Sequence, residues 1–199
     1  IAPNVELLVI KCDVDDTGEF KSSADIVFGI YYAIEQDVDV INMSFGIDKM
    51  LPDMKTAIQL AVDSNIIIVA SAGNNSSDSP HYPAAWDITI GVGALAQDSW
   101  DLADYSNYGV NSDIVAPGTT LTAMMGGNYS VREGTSMAAP QVTGLSALVA
   151  QHLREKDLLP EGMTMRKLVQ SLLMSTAQPL FEEASEGNYY SLLNQGAGL

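Results

Sequence analysis

Cysteine is almost missing from this chain of 199 residues: Cys12 stands alone. One thiol cannot form a disulfide within the chain or build a cysteine-based zinc site. Cys12 closes an apolar run, which suits a small core residue. Positive charge is scarce as well. Nine Lys and Arg face 25 Asp and Glu, a formal net charge of −16. A nucleic-acid partner needs a basic face, and so does anionic lipid, so neither is expected. An acidic surface of this kind keeps a protein soluble; a preference for basic substrates is the narrower alternative. No apolar stretch has the length of a membrane-spanning helix. The chain opens Ile1-Ala2-Pro3-Asn4, without initiator Met, basic n-region or apolar h-region. It reads as the middle of something longer.

What is present is an ordinary globular composition, 47 % hydrophobic and 17 % charged, at a length that can bury a core. No repeat, low-complexity segment or linker interrupts it, so residues 1–199 are expected to form one domain lacking its start. Residues 5–10 are a continuous apolar run and predict a buried strand. Ser22 or Ser23 caps a helix striped by Ala24, Val27, Phe28, Tyr31, Ala33 and Ile34. Residues 39–43 return as a strand. Pro52 opens a second helix that ends at Asn65. Residues 66–70 and 88–92 read as further buried strands. This alternation predicts an α/β fold, a mostly parallel sheet with helices on both faces. Functional groups then gather in loops after the strands, here at Asn42-Met43-Ser44-Phe45-Gly46 and Ser71-Ala72-Gly73-Asn74-Asn75.

Later, Thr119–Ala123 and residues 129–132 predict a β-ribbon turned at Gly126-Gly127-Asn128. A long helix follows Gly134-Thr135-Ser136 and runs to about His152, with Pro140 expected in its first turn, where the missing N–H costs little. Another helix is expected over residues 164–175.

Ser136 at this helix start would have a rigidly held hydroxyl beside unpaired N–H donors and the positive end of the helix dipole, a setting suited to an oxyanion. A plain helix cap gives the same local pattern. Asn74, at the end of a buried strand, could donate its amide to an oxyanion, or could be an ordinary turn residue. Gly91-Val92-Gly93-Ala94-Leu95-Ala96 spells a dinucleotide-binding string, but no helix opening follows it. Asn75-Ser76-Ser77 and Asn128-Tyr129-Ser130 are formal glycosylation sequons.

Residues 134–144, Gly-Thr-Ser-Met-Ala-Ala-Pro-Gln-Val-Thr-Gly, resemble the nucleophile motif of the subtilisin-like serine proteases, G-T-S-M-A-[ST]-P-H-V-[AS]-G. Eight of eleven positions fit; Ala139, Gln141 and Thr143 depart. Residues 67–74 resemble the family's oxyanion-hole segment, with Asn74 preceding Ser136 by 62 residues. Val40-Ile41-Asn42-Met43-Ser44-Phe45-Gly46 resembles its cleft-lining strand. Weaker matches at residues 1–7, Tyr82-Pro83-Ala84, Ser106-Asn107-Tyr108-Gly109, Val115-Ala116-Pro117-Gly118 and Gln195-Gly196-Ala197-Gly198 keep the same order.

The resemblance implies a serine endopeptidase acting on proteins or peptides, with Ser136 as nucleophile and Asn74 in the oxyanion hole. It implies that Ser44, Phe45, Gly46, Ala72 and Gly73 line the peptide cleft. His81, just before Tyr82-Pro83, falls where the family borders its S1 pocket, which would favour small or acidic P1 side chains; a solvated loop histidine is the alternative.

A serine needs a base. The family carries its triad Asp and His upstream of the Ile-Ala-Pro segment with which this chain begins, so the missing N-terminal part of the domain is expected to supply them, and the chain alone is expected to be inactive. Asp16-Thr17-Gly18 spells the family's Asp motif but lies after that segment and is read as a decoy. His152 is sixteen helical residues beyond Ser136, about 24 Å away, too far for a base.

Calcium is common in the family. The acidic loops at 13–16 and 76–78 carry oxygen ligands but no recognisable calcium motif, so no cofactor is assigned. A secreted or surface-bound bacterial protein is expected. The competing readings are a non-catalytic subtilisin-like fragment or pseudoprotease that binds, and a serine esterase. The esterase would need Gly-x-Ser-x-Gly, and Gly134-Thr135-Ser136-Met137-Ala138 lacks the second glycine.

Overall fold

The computed structural model describes residues 1–12, 22–181 and 189–198. Four strands form a parallel sheet in the order β1-β2-β3-β4: β1 Val40–Met43, β2 Ile67–Ser71, β3 Ile90–Leu95 and β4 Ile114–Pro117. Every residue of β2 and β3 is buried. The pleat of β2 sends alternate side chains to opposite faces. Ile68 and Ala70 meet α1 (Ser23–Glu35) and α2 (Pro52–Asp63) through Ile26, Ile30, Met54 and Ile58. Ile67 and Val69 meet α3 (Thr135–Glu155) and α4 (Met165–Thr176) through Ala138, Val142 and Val169. The sheet is therefore covered on both faces, as its apolar strands require. Each fully buried aliphatic side chain contributes roughly 1.5–3 kcal/mol.

The helix boundaries follow local chemistry. Ser22 caps α1, its Oγ accepting from Ala24 N–H at 3.1 Å. Pro52 opens α2, and Asn65 just beyond its end adopts φ +65, the left-handed conformation common after helices. The antiparallel ribbon is β5 (Thr119–Ala123) with β6 (Tyr129–Glu133), and α5 is a single turn, Leu192–Gln195.

Four expectations need correction. The stripe expected on α1 is displaced: Ile26, Ile30 and Ala33 are buried, whereas Ala24 and Phe28 are exposed. Residues 5–10 are not a buried strand: Leu7 is 80 % and Val9 87 % exposed. An apolar run becomes a strand only where a neighbour pairs with it and layers cover both faces. This run passes from α3, where Ile1 touches Gly144, to α1, where Ile10 and Cys12 touch Gly29. It stays outside the sheet, and β1 pairs with β2 alone among the described strands. The strand expected at 88–92 instead begins at Ile90 and runs through Leu95, because Trp86 and Thr89 donate into a turn over residues 83–89. The strand thus occupies the dinucleotide-like string. Pro140 is the sixth residue of α3 rather than part of its first turn. Its missing N–H would have bonded the Ser136 carbonyl four residues back.

Candidate active site

That orphaned carbonyl has a partner in β1's following loop. Ser44 Oγ donates to Ser136 C=O at 3.1 Å, and Ser136 Oγ donates back to Ser44 C=O at 3.1 Å. The reciprocal pair ties the helix start to the segment after β1. Asn42 Nδ2 donates to Ser44 Oγ (2.9 Å), and Thr143 Oγ1 donates to Asn42 Oδ1 (2.9 Å), so α3 and β1 are laced together beside Ser136.

Gly134 precedes the helix with φ +137, a backbone that side chains rarely adopt. The turn it makes delivers Thr135 and Ser136 to the first helical positions. Thr135 N–H and Thr135 Oγ1 both donate to Asn74 Oδ1, each at 2.9 Å. Thr135 Oγ1 also accepts from Gly73 N–H at 3.1 Å. These bonds fix the orientation of the Asn74 amide: with Oδ1 on Thr135, Nδ2 points away as a donor. Met137 N–H is taken by Gly134 C=O, and Ser136 N–H has no partner among the described residues. One backbone donor and one side-chain donor are thus left at the start of the helix.

Phe45 and Gly46 are half-buried beside Ser44. Gly73 has φ +102 and, like Ala72, is buried; Ala72 donates to Val92 C=O and accepts from Asn107. His81 lies against both glycines: a Cβ on Gly46 would fall 2.3 Å from its Nε2, and one on Gly73 2.9 Å from its Cδ2. Its Nδ1 pairs with Asp48 Oδ1 at 2.8 Å. His81 therefore bonds Asp48 and not Ser136, and its side chain is 12 % exposed. His152 lies in α3, sixteen residues beyond Ser136.

The structure thus bonds Ser44 to Ser136 and Asn74 to the adjoining Thr135, and sets His81 against Gly46 and Gly73. Sequence reasoning missed Asp48, the bridging role of Thr135 and the buried Asn111, and it placed Asn107 in a motif string without giving it a role. A polar residue 0–1 % exposed, as both asparagines are, has no signature in a single sequence. The Asp16-Thr17-Gly18 string and the acidic loop at 13–16 lie outside the described residues. Among the described residues no group of three or more His, Cys, Asp or Glu could hold a metal, and Ser77 N–H in the second acidic loop is bonded to Asn107.

The mostly parallel sheet with helices on both faces is the α/β arrangement expected from the sequence. The chain belongs to the subtilase family, whose statistical description matches residues 1–198. It is 40 % identical to the thermophilic serine proteinase of Bacillus sp. (strain AK1), over 77 % of this chain and 38 % of that protein. It is 39 % identical to the intracellular serine protease of Paenibacillus polymyxa, over 76 % of this chain and 47 % of that protein. Among solved structures, the prenylagaramide maturation protease PagA superposes with a TM-score of 0.78 at 26 % identity, covering 92 % of this chain and 66 % of its own. The patellamide maturation protease PatA gives 0.77 at 30 % identity, covering 90 % and 66 %. The chain spans about half or less of the length of these two curated relatives. No helix among the described residues is long and apolar enough to cross a membrane.

Proposed function

We propose that this chain forms the nucleophile-bearing part of a serine endopeptidase that hydrolyses peptide bonds in proteins. Ser136 attacks the scissile carbonyl, and its N–H together with Asn74 Nδ2 holds the resulting oxyanion. The observation that carries this reading is the Thr135–Asn74 bonding, which turns the amide donor outward at the helix that presents Ser136. The base and its orienting carboxylate come from sequence preceding Ile1, within the same domain. Two features support that. Ser136 Oγ is bonded to a backbone carbonyl rather than to a base, and β1 has an edge unpaired by the described strands. In the complete site the Ser136 proton passes to that base, then to the leaving amine.

The His81–Asp48 pair borders the pocket for the P1 side chain. A ring pressed on Gly46 and Gly73 takes the space in which a large P1 side chain would lie, so small or acidic P1 residues are preferred. Export belongs to the same proposal, although two of the relatives bear the name of intracellular proteases.

One experiment tests activity and selectivity together. The full-length protein is incubated with a mixed peptide library and the products are identified by mass. Cleavage after Ala, Ser, Asp or Glu is expected. Dominant cleavage after Phe or Tyr would remove the role given to His81, and no cleavage at all would favour a binding module over an enzyme.

A further inference from the structure

Asn74 lies on a short irregular loop, three residues past the end of β2, with an exposed side chain. An oxyanion donor must nevertheless be placed to within a few tenths of an ångström. Something must hold the loop's backbone. We propose that Asn107 is a positioning residue for Asn74, clamping the loop on both sides of it so that the amide stays aligned with the oxyanion. The proposal rests on the reading of Asn74 as an oxyanion donor.

Asn107 is 1 % exposed, and both polar atoms of its amide bond this loop. Its Oδ1 accepts from Asn75 N–H at 2.9 Å and Ser77 N–H at 3.1 Å, after Asn74. Its Nδ2 donates to Ala72 C=O at 2.9 Å, and its own N–H donates to Gly73 C=O at 2.9 Å, before Asn74. Four bonds from one residue therefore bracket Asn74 without touching its side chain. The amide also packs flush on Gly73, where a Cβ would fall 2.4 Å from Nδ2. Thr135 fixes the direction of the Asn74 side chain, and Asn107 fixes the backbone from which it projects. Only a side-chain amide offers a twice-accepting oxygen beside a separate N–H donor, and glutamine is one methylene longer.

Asn111 provides an internal comparison on the same connecting segment. It is 0 % exposed and as heavily bonded, but its bonds reach a later stretch that meets the one held by Asn107 only at Ser77, whose C=O accepts from Asn111 Nδ2 at 3.5 Å. Its Oδ1 accepts from His81 N–H at 2.7 Å, and its Nδ2 donates to Ser79 C=O (2.9 Å) and Tyr108 C=O (3.1 Å). Loss of either asparagine weakens the fold. Loss of Asn107 alone misplaces the oxyanion donor, whereas loss of Asn111 disturbs the pocket wall at His81.

The two act on different kinetic constants. A misplaced oxyanion donor weakens the transition state more than the bound substrate, so kcat falls and KM holds. The test measures kcat and KM of full-length protein carrying Asn107→Ala, Asn111→Ala, Asn74→Ala and the Asn74→Ala/Asn107→Ala double. Asn107→Ala should lower kcat roughly ten- to a hundredfold, the cost of an ångström-scale misplacement, with KM nearly unchanged. The double variant should be no slower than Asn74→Ala, because nothing is left to position. Asn111→Ala should move KM and P1 choice instead.

Asn107→Ser keeps a shorter, uncharged donor and acceptor in the buried site, so it should recover part of kcat; it also replaces Asn107→Ala, with the same criteria, if that variant fails to fold. A double variant slowed by the product of the two single losses would overturn the clamp while leaving Asn74 as oxyanion donor. So would KM rising alike in the Asn107 and Asn111 variants. An Asn74→Ala variant with unchanged kcat would overturn the oxyanion reading itself, and the clamp with it.

Discussion

Ser136→Ala in the full-length protein is expected to lower kcat about a million-fold, a size carried over from subtilisin itself. The reason lies in what one atom does at this position. Ser136 Oγ is the group that would bond the scissile carbonyl, and its removal closes the covalent route. Oxyanion donors and substrate binding then remain as the sources of acceleration. The fold should tolerate the change. Alanine suits a helix start enclosed by Thr135 and Ala138, and the hydrogen bond lost is the one from Oγ to Ser44 C=O. A single such bond contributes about 0.5–1.5 kcal/mol. The Ser44 bond to the Ser136 carbonyl is made to backbone and survives. The expected result is therefore a variant that unfolds at nearly the wild-type temperature, binds substrate with nearly the wild-type KM and turns over almost nothing. Steady-state kinetics beside a thermal melt check all three. Activity surviving in a folded variant would end the assignment of Ser136.

Asn74→Ala should cost roughly 10²–10³ in kcat, again the size associated with subtilisin's oxyanion amide. Alanine here removes two functions at once. It deletes the Nδ2 donor, and it also deletes the acceptor for Thr135 N–H and Oγ1. Asn74→Asp separates them. A carboxylate still accepts both Thr135 bonds and sits favourably at the positive end of α3, but it has no N–H to give. Asn74→Asp is accordingly expected to lose at least as much kcat as Asn74→Ala while melting at or above the temperature of the alanine variant. If the aspartate variant kept its activity, Asn74 would be a structural clip on the helix start and not a donor to the substrate.

These expectations show what a single sequence makes legible. The uninterrupted apolar character of residues 67–70 announces a strand buried on both faces, and the structure alternates those side chains between two helical layers. Motif strings placed Ser136 and Asn74 within one site because both follow secondary-structure ends that the pattern locates well. The apolar run at 5–10 shows the limit. Apolarity reports that a segment prefers burial, not that a partner strand stands beside it, and Leu7 and Val9 are left exposed. Pro140 shows another. Its consequence depends on a helix start one residue earlier than Ser136, and on a hydroxyl from Ser44, 92 positions away, that answers the orphaned carbonyl. Asn111 and Asp48, and the role of Asn107 within its motif string, were hidden for the same reason: each acts through contacts between segments some 30 residues apart, which local periodicity does not encode.

The central claim is that Ser136 is a nucleophile whose base lies outside these 199 residues. A fluorophosphonate probe tests it most directly, because the probe phosphonylates a serine only when a base activates it. Full-length protein and the 199-residue chain are treated in parallel, and the modified residue is located by peptide mass. The account predicts rapid labelling at Ser136 in the full-length protein and none at a comparable rate in the chain alone. Rapid labelling of the chain alone, or labelling of the full-length protein at any other serine, would contradict it.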